Sequence, residues 1–501
     1  VVSIKNLTYF LFLVLSCCID NIKANAQEDI FAASVEIIDR LKSKVQVSKL
    51  HNGITVVTYP RGIAPVFSAV VAVGVGGVDE TSGETGISHM LEHMAFKGSK
   101  LLGAPDNNLV EEENLLNELE AISKQDPTLQ KLDTDQLLRI EKINQRLSQI
   151  TPTDGFTREY ERRGAVNLNA ATNKDQTLYY VNLPKSSFEY WALAESEKII
   201  APVMRQFYKE RDVVLEERRT RFEDDPNGKL FEKLLQVAYP NHPYGLPLIG
   251  FEQDIRSLTA SKLLQFHKRF YVPSNIVISI VGDIDLESDM PIINKYFGRI
   301  PISEINRNDI EQPQIPKTES SVTILEKSKP MAMVAYFKPN YPHPDDAVLS
   351  VASEVFNGSS LSPLYDTLVK KERIAVSISD EEAPGARYPN LLVFSIVPKT
   401  GVTNKQLLKR FDEVLTEAIN KPDQQLIDHA KRAIAKSYTT SVKSSESLAA
   451  LLAEVQLKYG DWSALTDWYH QAMEVTKNDI TEVSNKYLIP SNRVVGYLEQ
   501  E

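Results

Sequence analysis

Two histidines and a glutamate stand together in the stretch GISHMLEHMAFKGS, residues 86 to 99: His89, Glu92 and His93. Each residue of a helix advances about 100° and rises about 1.5 Å. His89 and His93 would therefore lie about 40° apart with Glu92 about 60° to the other side of His89, all three within one arc of about 100°. Two imidazoles one turn apart can chelate a single Zn²⁺ while the carboxylate sits beside a water on the metal. Met90, Leu91, Met94 and Phe96 supply apolar neighbours that would exclude solvent and strengthen the site's electrostatics. The competing reading is a helix with partly exposed histidines, so the surroundings decide. Gly74, Gly76, Gly77, Gly83 and Gly86 precede the helix and permit tight turns, and the later segment KERDVVLEER offers carboxylates for a third ligand.

These residues need elements to hold them. VQVSKLHNGITVVTYP and FSAVVAVGVGGVDE alternate or concentrate β-branched residues and predict strands, with a turn at Asn52-Gly53. GISHMLEHMAFKG predicts a helix closed by Gly98. Between about 103 and 152, apolar residues at helical spacing (Leu115, Leu119, Ile122, then Ile140, Ile143, Leu147, Ile150) predict a helical hairpin broken at Asp126-Pro127. GAVNLNAATNKDQTLYYVNLP predicts two strands joined by a polar turn, and FEYWALAESEKIIAP and YKERDVVLEERRTRFED predict helices.

The halves of the chain resemble each other. FYVPSNIVISIVGD aligns with YLIPSNRVVGYLEQ at an offset of 217, and FKGS at 96 to 99 aligns with FNGS at 356 to 359 at an offset of 260. The difference of 43 residues is about the length of the hairpin. This predicts an α+β fold: two homologous α/β-sandwich units in tandem, each a mixed sheet with helices packed on one face, the first carrying a helical insertion. At the 260 offset, His89, Glu92 and His93 correspond to Leu349, Ala352 and Ser353. One copy carries polar chemistry where the other has none, as expected if those residues serve function and not fold.

The 501 residues and net charge of -11 fit a soluble, multidomain, acidic protein and argue against a nucleic-acid surface. Lys5 precedes the apolar run LTYFLFLVLSCC, and the stretch ends at Ala24 and Ala26, so residues 1–26 read as a cleaved signal peptide and the mature chain as periplasmic or secreted, without stable membrane insertion. Both cysteines, Cys17 and Cys18, lie in that segment, so the mature chain would have no thiol chemistry. The polar, proline-rich stretch near 301 to 320 predicts a linker at 306–320, between a zinc-binding catalytic domain at 27–305 and a non-metal-binding domain at 321–501.

His-x-x-Glu-His is the inverzincin signature, and the sequence resembles the pitrilysin family of zinc metallopeptidases, which includes insulin-degrading enzyme and the mitochondrial processing peptidase. The segments HMLEHMAFKGS, NLNAATNKDQTLYYVNLP, ERDVVLEE, HPYGLPLIG and FYVPSNIVISIVGDID carry the likeness in order, from about residue 45 to the end. The resemblance implies one Zn²⁺ per chain held by His89, His93 and Glu217, with Glu210 as a supporting carboxylate and Glu92 as the general base of an endopeptidase. Glu216 competes with Glu217, which stands 124 residues after His93 where the family gap is shorter; the hairpin accounts for the excess. The resemblance further implies that a peptide or unfolded polypeptide substrate pairs with the NLNAAT strand, making Asn169 and Ala170 its contacts. It also implies a homodimer or heterodimer closing over a chamber, with an arginine and a tyrosine gripping substrate. The sequence does not place that pair: Arg387 and Tyr388 are adjacent and on a strand would point to opposite faces. His242 reads as structural. The rival reading is a non-catalytic or partner-dependent subunit of a heterodimeric peptidase.

Overall fold

The computed structural model describes residues 30–103, 108–126, 131–150 and 154–501; the expected signal peptide and Pro127 lie outside the described residues. The first sheet contains β1 (Gln46–Lys49), β2 (Thr55–Pro60), β3 (Val66–Val73), β4 (Val166–Thr172), β5 (Thr177–Pro184) and β6 (Ile276–Gly282), in the order β1-β2-β6-β3-β5-β4. The second contains β7 (Ser320–Glu326), β8 (Met331–Lys338), β9 (Ala375–Ala383), β10 (Asn390–Pro398) and β11 (Arg493–Gln500), in the order β7-β11-β8-β10-β9. With β1 set aside, the two orders superimpose strand for strand. Each sheet has its parallel pair in the same place, β2 with β6 and β7 with β11, and every other pair is antiparallel. The two Pro-Ser-Asn segments are 3₁₀ turns leading into the equivalent strands β6 and β11. The fold is therefore two copies of one α+β unit.

Helices of its own unit cover one face of each sheet, as expected. On the first sheet, Met90, Leu91 and Met94 pack with Val71, Val73, Trp191 and Ile278. The other face is covered by the opposite unit. Helix Ser445–Tyr459 lays Leu448, Ala449, Leu452 and Ala453 against Val57, Val70, Ala72, Val277 and Val281 of the first sheet. In return, helix Pro226–Ala238 lays Leu230, Leu234 and Leu235 against Met333, Ala335, Val393 and Val494 of the second. Gly496 of β11 admits that helix closely, since a Cβ there would stand 3.1 Å from both Leu230 and Leu234. Burial on two faces explains why β3 and β6 read as nearly unbroken apolar runs. Each buried Leu or Val contributes about 1.5–3 kcal/mol, so the exchanged helices bind the two units into one core.

The stretch from 301 to 316 has no regular structure and is mostly exposed, tied down at a few points: Arg307 donates to Asp79, and the half-buried Ile310 packs beneath the second sheet. Helices Leu109–Ser123 and Thr134–Ile150 lie side by side, joined by Glu118–Arg139 and Glu111–Arg146 ion pairs. Glu112 anchors the first of them to the buried Arg205, which also donates to the carbonyls of Lys97 and Leu102 just beyond the histidine helix. Among the described residues, no helix is long and apolar enough to cross a membrane.

Candidate metal centre and active site

The histidine helix, Ile87–Ala95, begins at Gly86, whose φ of 86° is left-handed. A Cβ at Gly86 would meet the Ile249 carbonyl oxygen at 2.3 Å, so glycine is required twice over, by dihedral and by space. No side chain at the N-cap itself satisfies the first turn. The buried Glu80 does so from outside, accepting from Gly86 N at 2.8 Å and Ser88 N at 2.9 Å. Burial pushes the Glu80 carboxyl up to about 7 despite those bonds and the nearby Lys174. Ile87, Met90, Leu91 and Met94 face the core, which turns His89, Glu92 and His93 to the opposite, half-buried side.

Helix Phe207–Arg218 packs against it. Glu217 Oε2 lies 3.7 Å from His89 Nε2 and 3.5 Å from His93 Nε2. Two turns earlier, Glu210 Oε2 stands 3.4 Å from His93 Nδ1, and its other oxygen is 2.5 Å from Lys97 Nζ. Glu216 points away, exposed and paired with Arg219. Of the two neighbouring glutamates, Glu217 is the one that stands beside both histidines. Arg221, 2.9 Å from Glu217 Oε1, occupies that carboxylate's second oxygen and leaves Oε2 for the histidines.

A metal fits this donor set. Zinc bonds of about 2.0–2.1 Å in tetrahedral geometry place ligand atoms about 3.3–3.4 Å apart, within a few tenths of an ångström of the two nitrogen–oxygen distances here. One atom from each of His89, His93 and Glu217 lies within 4.8 Å of the others. Glu210 fixes His93 so that Nε2 faces the centre. The electrostatics suit a cation: burial opposes charge on His93, but Glu210 and Glu217 outweigh it and lift its pKa to about 9. Burial, with His93 next to it, holds His89 down to about 4. His93 and Lys97 hold Glu210 below the usual carboxylate range even though burial opposes it.

Glu92 accepts from Thr172 Oγ1 at 2.5 Å. Burial raises its pKa, and the Thr172 hydroxyl pulls the other way. Thr172 ends β4, the edge strand that also carries Asn169 and Ala170. Asn169 is exposed, whereas the side chain of Ala170 packs into the core, which leaves only its backbone for an incoming chain. Sequence reasoning missed Lys97, Thr172, Arg221 and Glu80. Lys97, four residues after His93, was the one with a local signal.

His242 is structural: buried among Tyr239, Tyr244 and Tyr388, its Nδ1 accepts from Tyr244 N. Arg387 and Tyr388 are committed to the junction between units. Arg387 pairs with Asp79 and donates to the Asp175 carbonyl, and the Tyr388 ring meets His242 and Tyr244 edge-on.

Two imidazoles and a carboxylate thus converge beside a second carboxylate on a duplicated sheet-and-helix unit, a donor set that could hold one metal ion. Residues 56–151 and 140–252 match the model of insulinase (peptidase family M16), and 257–434 match the peptidase M16 inactive domain. The chain belongs to peptidase family M16, the insulinase family. It is 25% identical over 467 residues to a Helicobacter pylori protein named zinc protease PqqE, covering 90% of this chain and 91% of that one. It is 26% identical over 264 residues to the probable mitochondrial-processing peptidase subunit beta of Schizosaccharomyces pombe, covering 51% and 46%. Among solved structures, a protease from Helicobacter pylori superimposes with a TM-score of 0.76 at 23% identity, over 91% of this chain and 99% of that one. The periplasmic protease PqqL of Escherichia coli superimposes with a TM-score of 0.68 at 17% identity, over 91% and 47%.

Proposed function

We propose that the protein is a zinc-dependent endopeptidase acting on peptides or unfolded protein segments. The observation that carries this reading is the convergence of His89, His93 and Glu217 with Glu92 presented beside them. His89, His93 and Glu217 would hold the zinc, which would supply Lewis acidity toward a water and the scissile carbonyl. Glu92, half-desolvated and with a raised pKa, takes a proton from the attacking water and passes it to the leaving amine. Glu210 and Lys97 keep His93 oriented throughout. Among the described residues β4 pairs with β5 alone, so its outer edge can accept an extended substrate strand, with Asn169 and the backbone of Ala170 as contacts.

The reading extends to location and assembly. An exported, periplasmic or secreted address is supported by the apolar N-terminal run and by the likeness to a protein titled a periplasmic protease. A homodimer or heterodimer enclosing a chamber is supported by the commitment of Arg387 and Tyr388 to the internal junction, which leaves a substrate clamp to a second chain.

The test is zinc content together with peptide cleavage. Purified protein should hold about one zinc per chain, and Glu92→Gln should keep the metal while losing cleavage of an unfolded polypeptide. Cleavage by metal-free protein, or full activity in Glu92→Gln, refutes the proposal.

A further inference from the structure

We infer that Thr172 is a positioning residue that fixes which oxygen of Glu92 carries the transferred proton; the inference rests on the peptidase reading above. Thr172 Oγ1 lies 2.5 Å from Glu92 Oε2 and 3.4 Å from Thr177 Oγ1. Thr177 in turn donates to the carbonyl of Val75 at 2.9 Å. A hydroxyl has one proton to give. With that of Thr177 committed to Val75, the proton of Thr172 goes to the nearer acceptor, Glu92 Oε2.

The consequence is an asymmetric carboxylate. Oε2, already accepting from Thr172, is held as an acceptor, so the proton that Glu92 removes from water is placed on Oε1. The atoms balance. One O–H bond of water breaks and one O–H bond forms at Oε1, while the water oxygen uses the released pair to bond the carbonyl carbon and the C=O π pair moves onto the carbonyl oxygen, to return when the C–N bond breaks. The Oε1 proton then transfers to the amine nitrogen as the C–N bond breaks. Without the hydroxyl, only the weaker backbone contact from Thr172 orients the carboxylate, and both oxygens can compete for the proton.

The fold holds Thr172 well for this role. It faces Thr177 across the β4–β5 ladder, next to the Ala171–Leu178 pair, and its β-branched side chain is stiff at χ1. It also ends the strand on which substrate is proposed to pair, so substrate seating and base orientation share one backbone segment.

The test compares Thr172→Val, which keeps the shape and removes the hydroxyl, with Thr172→Ser, which keeps the hydroxyl. Loss of an orienting partner costs about 10–100-fold. Thr172→Val should show that loss in kcat, with KM within about threefold of wild type and zinc content unchanged. Thr172→Ser should restore kcat to within about threefold. Should Thr172→Val fail to fold, Thr172→Ala takes its place in the same comparison. Wild-type kcat in the hydroxyl-free variant, a loss confined to KM, or equal losses in the valine and serine variants each overturn the inference. A zinc-loaded wild type that cleaves nothing overturns the peptidase reading instead, and this inference with it.

Discussion

Three glutamates on one helix should separate cleanly by zinc affinity. Glu217 places Oε2 3.5 and 3.7 Å from the two imidazole nitrogens. Glu210 stands behind His93, and Glu216 is exposed against Arg219. An orienting partner of a metal ligand is worth about 10–100-fold in affinity. Glu210 belongs at the lower end of that range. Its 3.4 Å contact with His93 is longer than a normal hydrogen bond, and Lys97 already offsets part of its charge. Glu210→Gln should therefore weaken zinc by about tenfold, or about 1.4 kcal/mol. Glu217→Gln, which removes a ligand, should exceed about 100-fold, or about 2.7 kcal/mol. Glu216→Gln should stay within about twofold, since exposed ion pairs contribute little. Competition of each apoprotein against a zinc-chelating dye measures all three, with circular dichroism checking the fold. A Glu216→Gln loss equal to that of Glu217→Gln, or a Glu210→Gln loss larger than it, would refute the geometric assignment.

Two further outcomes concern stability. Arg205 is 1% exposed and held by Glu112 at 3.0 Å, so Glu112→Ala strands a buried charge and should cost about 3–5 kcal/mol in urea unfolding; a loss under about 1 kcal/mol contradicts the anchoring role. His267, buried and stacked on Tyr271, is held by burial to a pKa of about 4 against its usual 6.5. The unfolded chain therefore binds a proton there that the folded one refuses, so its contribution is complete above pH 6.5 and is lost as pH falls toward 4, at up to about 1.4 kcal/mol per pH unit. His267→Phe should flatten that part of the acid slope, and unchanged slopes in the two proteins would show that His267 does not titrate as described.

How far the sequence reached depended on how local each feature was. His89, Glu92 and His93 lie within one and a half turns, so helical geometry alone brings them together. Glu210 and Glu217 share a helix face at two-turn spacing, and with the family resemblance that spacing pointed to Glu217 over its neighbour Glu216; which of the two stands beside the histidines is set by how the two helices pack. Thr172 was illegible as a partner of Glu92 because 80 residues separate them and only the β4 edge brings them into contact. The duplicated sheets were readable from two offsets. The double-sided burial was written in the unbroken runs FSAVVAV and IVISIVG, but nothing local said that the second cover came from the other unit.

That exchange of helices explains why a unit without metal chemistry persists beside one that has it. Leu349, Ala352 and Ser353, at the positions matching His89, Glu92 and His93, are buried in the second unit, with Leu349 and Ala352 in its core and Ser353 donating to Asp380. Freed from holding a cation, those positions answer only to packing. The unit's remaining contribution to the site is mechanical. The histidine helix sits on β3 and β6 through Met90, Leu91 and Met94, and the far side of those strands is covered by Leu448, Leu452 and their neighbours from helix Ser445–Tyr459. The first sheet without that cover would expose Val57, Val70, Ala72, Val277 and Val281 together, a contiguous apolar face of the kind soluble proteins rarely leave open. The second copy is thus the other wall of the first copy's sheet, and the packing that holds His89, His93 and Glu217 close together is supplied jointly by both units.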